Sequence, residues 1–141
     1  MQAKVKWMDG LTFEAELNGF NFIIDADESV GGKNKGPRPK GLTLVSLLGC
    51  TGMDVISILK KMRVDVKSFE VKGRAKLAEE HPKKYLEIIT SYIFEGDDLP
   101  LDKIKKAVSL SEDRYCGVSA TLKPNVKLET EIIINGNKIE E

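Results

Sequence analysis

The sequence is poor in the residues that carry most protein chemistry. Among its 141 residues there is one histidine, His81, and there are two cysteines, Cys50 and Cys116. So few nitrogen and sulfur ligands exclude a closed zinc site built from four of them, and no metal site is expected. A histidine-centred triad would have to use His81, which precedes Pro82 in a charged turn and reads as a surface residue. Charge of one sign is also not in excess: 22 Lys and Arg balance 22 Asp and Glu. A nucleic-acid binder ordinarily carries a basic surplus that displaces counterions from phosphates, so no nucleic-acid partner is expected. Long apolar runs are missing too. The most apolar stretch, residues 42–59, is broken by Thr43, Ser46, Thr51, Asp54 and Ser57, which argues against a membrane span. The opening Met-Gln-Ala-Lys-Val-Lys-Trp holds no signal-peptide core. The expected compartment is the cytoplasm, where a purely structural disulfide is disfavoured.

What is present is the composition of a soluble globular protein, 41% hydrophobic and 31% charged. A chain of this length buries roughly two-thirds of its unfolded surface, enough for one core, and a single domain over residues 1–141 is expected. The first quarter reads as a β-meander. Val5 and Trp7 alternate with lysines up to Asp9-Gly10, and Leu11, Phe13, Ala15 and Leu17 alternate with polar residues up to Asn18-Gly19. Both dipeptides suit the left-handed positions of tight hairpin turns. Phe20, Phe22 and Ile24 continue on a third strand, and Trp7 is expected in the core. Residues 29–41, rich in Gly and Pro, lack the Gly-Lys-Ser/Thr ending of a phosphate-binding loop and read as a connection.

From residue 40 to 62 the period becomes helical, with apolar side chains spread around most of the cylinder, the mark of a buried helix. Gly49, Cys50, Thr51 and Gly52 cluster at its middle. Each glycine there costs about 1 kcal/mol relative to alanine, so close approach or open space is expected beside it. Two strands follow. The second, over residues 85–94, is apolar on both faces and should be covered twice. Asp97-Asp98-Leu99-Pro100 signals a helix start, and Leu101, Ile104, Val108 and Tyr115 trace a stripe that would end near Cys116. Residues 126–134 give the last strand. The order βββ-α-ββ-α-β predicts an α+β chain with antiparallel sheets.

The two sulfurs lie far apart in sequence, so only tertiary folding can bring them together. Free cysteine often serves as a small buried hydrophobe. The alternative is a redox pair: a thiolate attacks a peroxide, becomes a sulfenic acid, and condenses with the second thiol. Arg38 and Arg114 are the arginines placed to lower a thiol pKa. Asp54, one turn after Cys50, would raise it.

The run Pro-Arg-Pro-Lys-Gly-Leu-Thr-Leu-Val-Ser-Leu-Leu-Gly-Cys-Thr-Gly-Met-Asp-Val, residues 37–55, resembles the central-helix motif of the OsmC/Ohr family. Tyr-Cys-Gly-Val-Ser-Ala-Thr-Leu, residues 115–122, resembles that family's second cysteine motif. The Glu-Glu-His-Pro turn at 79–82 is similar to the OsmC-like branch related to the YhfA proteins. The resemblance implies an OsmC/Ohr-like fold: antiparallel sheets around a long buried central helix, in an intertwined homodimer with active sites at the subunit interface. It implies thiol-dependent reduction of organic hydroperoxides, with Cys50 peroxidatic and Cys116 resolving. A dithiol or thioredoxin-like protein would be the reductant, and no cofactor is implied. The family's helix-opening glutamate, which orients an arginine over the thiolate, falls at Gly41 here, and Arg38 is assigned as the substrate-side arginine. A non-catalytic small-ligand-binding or stress-response protein on the same scaffold is the rival reading.

Overall fold

The structure, a computed structural model, describes residues 1–140. The chain forms two compact units, Met1–Val45 and Ser46–Glu141, and the division falls inside the long helix α1 (Pro39–Lys61).

The first unit is a three-stranded antiparallel meander, β1 (Ala3–Asp9), β2 (Thr12–Leu17) and β3 (Phe20–Ile24), in that order. Asn18 and Gly19 both take positive φ, 54° and 83°, as the tight turn joining Leu17 to Phe20 requires. Every residue of β1 is exposed. Trp7 is therefore not in the core: it is 63% exposed, and its indole donates to the Gly10 carbonyl at 2.8 Å. Alternation reveals which side chains share a face, but it does not say whether the chain supplies a layer to cover it.

The Gly-rich segment after β3 is more than a plain connection. Asp25, 2% exposed, accepts from Thr12 Oγ1 at 2.8 Å, from the Ala26 amide at 2.7 Å and from the Lys35 amide at 3.3 Å. The returning loop passes so close that a Cβ on Gly32 would lie 2.0 Å from the Ala26 carbonyl oxygen, and one on Gly36 would lie 2.2 Å from that of Ile23. Only glycine fits there.

The second unit carries a sheet in the order β4 (Ser68–Leu77), β5 (Tyr85–Glu95), β6 (Lys127–Ile134), β7 (Asn137–Lys138). The β4–β5 pair is antiparallel, but β5–β6 is parallel, with Tyr92 opposite Ile132. The expectation of antiparallel sheets alone is corrected here. A helical crossover separates these two strands, and such a connection is what parallel neighbours need. It holds α2 (Leu101–Leu110), a π-turn over Ser111–Tyr115, and the short α3 (Gly117–Leu122), the last of which the sequence pattern did not reveal.

Val55 and Leu59 of α1 pack with Tyr92, Phe94, Ile104, Ala107 and Val108 in the core, and Phe69 stacks on Phe94 with ring centroids 4.6 Å apart. As expected, β5 is largely covered on both faces. On α1 the buried residues are Leu47, Thr51, Val55 and Leu59, one stripe at four-residue spacing, while Val45, Met53 and Ile56 are exposed. Gly52 meets the close approach the sequence asks for: a Cβ there would touch Val71 at 3.3 Å. Gly49 faces open space instead. By length and composition α1 is apolar enough to cross a membrane, because its interrupting polar residues are outweighed on average. Val55 and Leu59 of its buried stripe pack in the core of the second unit, and Asp54 accepts from the Ser111 hydroxyl.

Candidate active site

Helical geometry places residues four apart on one face, so Cys50 and Asp54 project side by side from the middle of α1. The third member comes from the crossover. Beyond Leu110 the helix widens into a π-turn, closed by the Cys116 amide donating to the Ser111 carbonyl at 2.8 Å. Such turns concentrate at functional sites. The wider turn breaks the phase of the α2 stripe. Tyr115, expected on that stripe, is exposed. Cys116 lies at a helix end, as expected, capping the π-turn, and it also opens α3 as its N-cap, extended at φ −78° and ψ 105°, with its sulfur accepting from the Ser119 amide at 3.3 Å.

The result is a compact cluster. Cys50 Sγ, Cys116 Sγ and an Asp54 carboxylate oxygen all lie within 4.8 Å of one another. Both cysteines are free thiols, Cys50 half-buried and Cys116 buried at 3% exposure. Two consecutive amides at the start of α3 serve the two sulfurs: Val118 N–H donates to Cys50 and Ser119 N–H to Cys116. Asp54 is held by the Ser111 hydroxyl, which donates to its Oδ2 at 2.9 Å from a fully buried position.

This setting pushes the Cys50 thiol above its ordinary pKa. Burial contributes most, then the hydrogen bond the thiol makes to Cys116, with the negative charge of Asp54 adding to both. The Val118 amide works in the opposite direction and is outweighed. The setting therefore favours the thiol form of Cys50 over its thiolate.

Behind the cluster the π-turn is tied to the sheet through Glu112, which accepts from Tyr92 Oη at 3.0 Å and from Thr130 Oγ1 at 2.5 Å. Burial first, and then the Glu112 charge, push the Tyr92 phenol far up, so it stays a donor. Among the described residues, a groove of about 720 Å3 runs along α2 and β6, lined by Val108, Glu112, Leu128 and Ile132 among others. A smaller cavity of about 170 Å3 lies against Leu47, Thr51, Glu112 and Ser119. The cysteines line neither.

Of the sequence-assigned residues, Cys50 and Cys116 meet. Arg38 belongs to the first unit, where its guanidinium donates to Asn34 Oδ1 at 2.7 Å, to the Gly36 carbonyl at 3.0 Å and to Asp27 Oδ2 at 3.0 Å. His81 is exposed, as expected. Asp54 was visible as a helical neighbour of Cys50. Ser111 and Glu112 carry no sequence signal, because the π-turn that aims them has no periodic signature.

Residues 32–131 match the family model described as OsmC-like protein. The chain is 37% identical over 129 residues to "Protein YhfA" of Escherichia coli K12, a match that covers 91% of this chain and 93% of that one. A hypothetical protein from Aquifex aeolicus VF5 shares the fold with a TM-score of 0.79 and 32% identity, covering 95% of this chain and 96% of the other. An organic hydroperoxide resistance protein OsmC from Legionella pneumophila matches with a TM-score of 0.67 at 13% identity, covering 94% and 95%, a likeness of fold alone. With both cysteine motifs meeting in one cluster on this fold, the chain belongs to the OsmC-like family.

Proposed function

We propose that the chain is a cytoplasmic two-cysteine peroxidase that reduces organic hydroperoxides as a homodimer. The observation that carries the reading is the placement of two free thiols from distant parts of the sequence within 4.8 Å of each other, each with its own amide donor. The name of the Legionella neighbour points to the same substrate class.

In the proposed cycle Cys50 loses its proton and its thiolate attacks the distal peroxide oxygen. The O–O bond breaks, the alkoxide takes a proton and leaves as the alcohol, and Cys50 becomes a sulfenic acid. The Cys116 sulfur then attacks that of Cys50. The S–O bond breaks and water departs with the Cys116 proton, for which Asp54 is the adjacent relay. A dithiol or thioredoxin-like reductant restores the thiols, and no metal or organic cofactor takes part. Arg38 is the proposed substrate-side cation. Gly41, where the family carries glutamate, leaves it without that partner, consistent with a thiol whose pKa is raised and with oxidation that quickens as pH rises.

Pairing of chains is supported by apolar surface that one chain leaves open. In the first unit Val5, Trp7, Phe20 and Phe22 are exposed, and on α1 so are Met53 and Ile56. The proposed working unit is a homodimer in which each chain is a single domain over residues 1–141, without a nucleic-acid or membrane partner. The rival, a non-catalytic ligand-binding protein, is favoured by the raised Cys50 pKa and by a groove that leaves the thiols aside.

One experiment separates the two. Reduced, metal-free protein treated with an organic hydroperoxide should lose both free thiols and form a Cys50–Cys116 disulfide by peptide mass spectrometry. Cys116→Ser should stop at a sulfenic acid on Cys50 that dimedone traps, and Cys50→Ser should not react. If both thiols stay reduced in excess peroxide even at alkaline pH, the peroxidase reading is wrong and the binding reading stands.

A further inference from the structure

We propose that the reduced pair is also a metal site, in which Cys50 Sγ, Asp54 carboxylate and Cys116 Sγ bind one zinc-like divalent cation and leave a fourth position open. The sequence expectation of no metal rested on the count of His and Cys. What changes it is a carboxylate that folding brings to both sulfurs.

The donor set comes first. Two thiolates select zinc and its soft or borderline neighbours over calcium and magnesium, and a carboxylate completes a three-ligand set of the open kind. Geometry comes next. With Zn–S near 2.3 Å and Zn–O near 2.1 Å, tetrahedral ligand atoms sit roughly 3.4–3.8 Å apart. The three atoms here already lie within 4.8 Å of one another, so side-chain rotations that close about 1 Å complete the site.

The frame is also suited to it. Cys50 and Asp54 come from successive turns of one long helix, and Cys116 is fixed between the π-turn and α3. Metal ligands need outer hydrogen bonds that orient them, and all three have one: the Ser111 hydroxyl on Asp54, Val118 N–H on Cys50 and Ser119 N–H on Cys116. Binding converts two thiols and a cation into a metal dithiolate and two released protons. Occupancy and the disulfide exclude each other. A hydroperoxide that oxidises the loaded pair takes up two protons, yields alcohol, water and the disulfide, and releases the cation. This last step rests on the peroxidase reading, but the binding itself does not.

The test titrates reduced protein with cobalt(II) in the absence of peroxide. One cobalt per chain should bind, with a thiolate-to-cobalt charge-transfer band and the visible bands of tetrahedral cobalt, and equimolar zinc should displace it. Asp54→Asn should weaken binding at least tenfold while circular dichroism stays unchanged, and Asp54→Glu should recover part of it. Prior oxidation of the pair by diamide should abolish the band. A reduced protein without a thiolate band, or an Asp54→Asn variant binding as wild type does, overturns the proposal. A protein that binds cobalt but ignores hydroperoxide overturns the peroxidase reading alone. One that forms the disulfide but shows no cobalt band overturns the metal site alone.

Discussion

Two carboxylates, one in each unit, are placed in opposite ways. Asp25 is almost fully buried and surrounded by donors, with the Thr12 hydroxyl and the Ala26 and Lys35 amides all pointing at it. Burial alone would raise its pKa, but these hydrogen bonds outweigh burial and hold it below the usual carboxylate range. Asp54 is half-buried, receives the Ser111 hydroxyl, and otherwise faces two sulfurs. The first carboxylate has its acceptor capacity spent on holding a loop against a sheet. The second keeps an oxygen directed at reactive atoms. A satisfied group of this kind is architecture, and an incompletely satisfied one beside thiols is chemistry.

The largest way to break that comparison is to remove each carboxylate in turn. Asp25→Ala strands a buried hydroxyl and two loop amides, and unmet buried donors are costly. The thermal midpoint should fall by roughly 10 °C or more, whereas Asp54→Ala, which frees one hydroxyl, should cost less than half of that. The pH dependence sharpens the contrast. Since the folded-state pKa of Asp25 is depressed, its stabilisation is complete above its unfolded value of about 3.9 and is lost as pH falls through the folded value. Asp25→Asn should flatten the acid limb of a stability profile measured by chemical denaturation between pH 2 and 6. An unchanged limb would mean that the carboxylate is not held ionised by its donors.

The two sites also differ in how far the sequence announces them. Asp9-Gly10 and Asn18-Gly19 mark the meander around Asp25 because turn chemistry is local, and the α1 pattern places Asp54 one turn from Cys50 for the same reason. Nothing local tells that β6 returns parallel to β5, since that pairing depends on where a 31-residue crossover, residues 96–126, ends. The π-turn is hidden for another reason. It adds a residue to one turn, so Leu101, Ile104, Val108 and Tyr115 look like one stripe although Tyr115 leaves it. Cys116 was thus legible as a reactive residue type, and its partnership with Cys50 through the family motif, but not its position as the cap of α3.

An intermediate effect concerns the chemistry of the second site. Burial, Cys116 and the Asp54 charge together hold the Cys50 thiol up, so its thiolate fraction is small at neutral pH. The alkylation rate of Cys50, followed by iodoacetamide and peptide mass spectrometry in the metal-free reduced protein, should keep rising beyond the ordinary thiol range near pH 8.5. Asp54→Asn removes one of the three causes. Its profile should move to lower pH by a fraction of a unit, giving a rate at pH 8 up to about threefold higher. A shift to higher pH would show that Asp54 acts on Cys50 through its position and not its charge.

A third carboxylate, Glu112, sets two donors of different burial against each other on one acceptor. Tyr92 donates from a fully buried ring, and Thr130 from an exposed edge position. Tyr92→Phe removes a hydrogen bond to a charged group where water has little access, and should cost about 1.5–3 kcal/mol. Thr130→Val removes a bond that water replaces, and should cost about 0.5–1 kcal/mol. Each single variant leaves Glu112 one donor, so the double variant should cost more than the sum of the singles when measured by urea unfolding. Additive costs would mean that Glu112 turns to solvent once either donor is gone, and that the π-turn below Cys116 is held by its own backbone and not by this carboxylate.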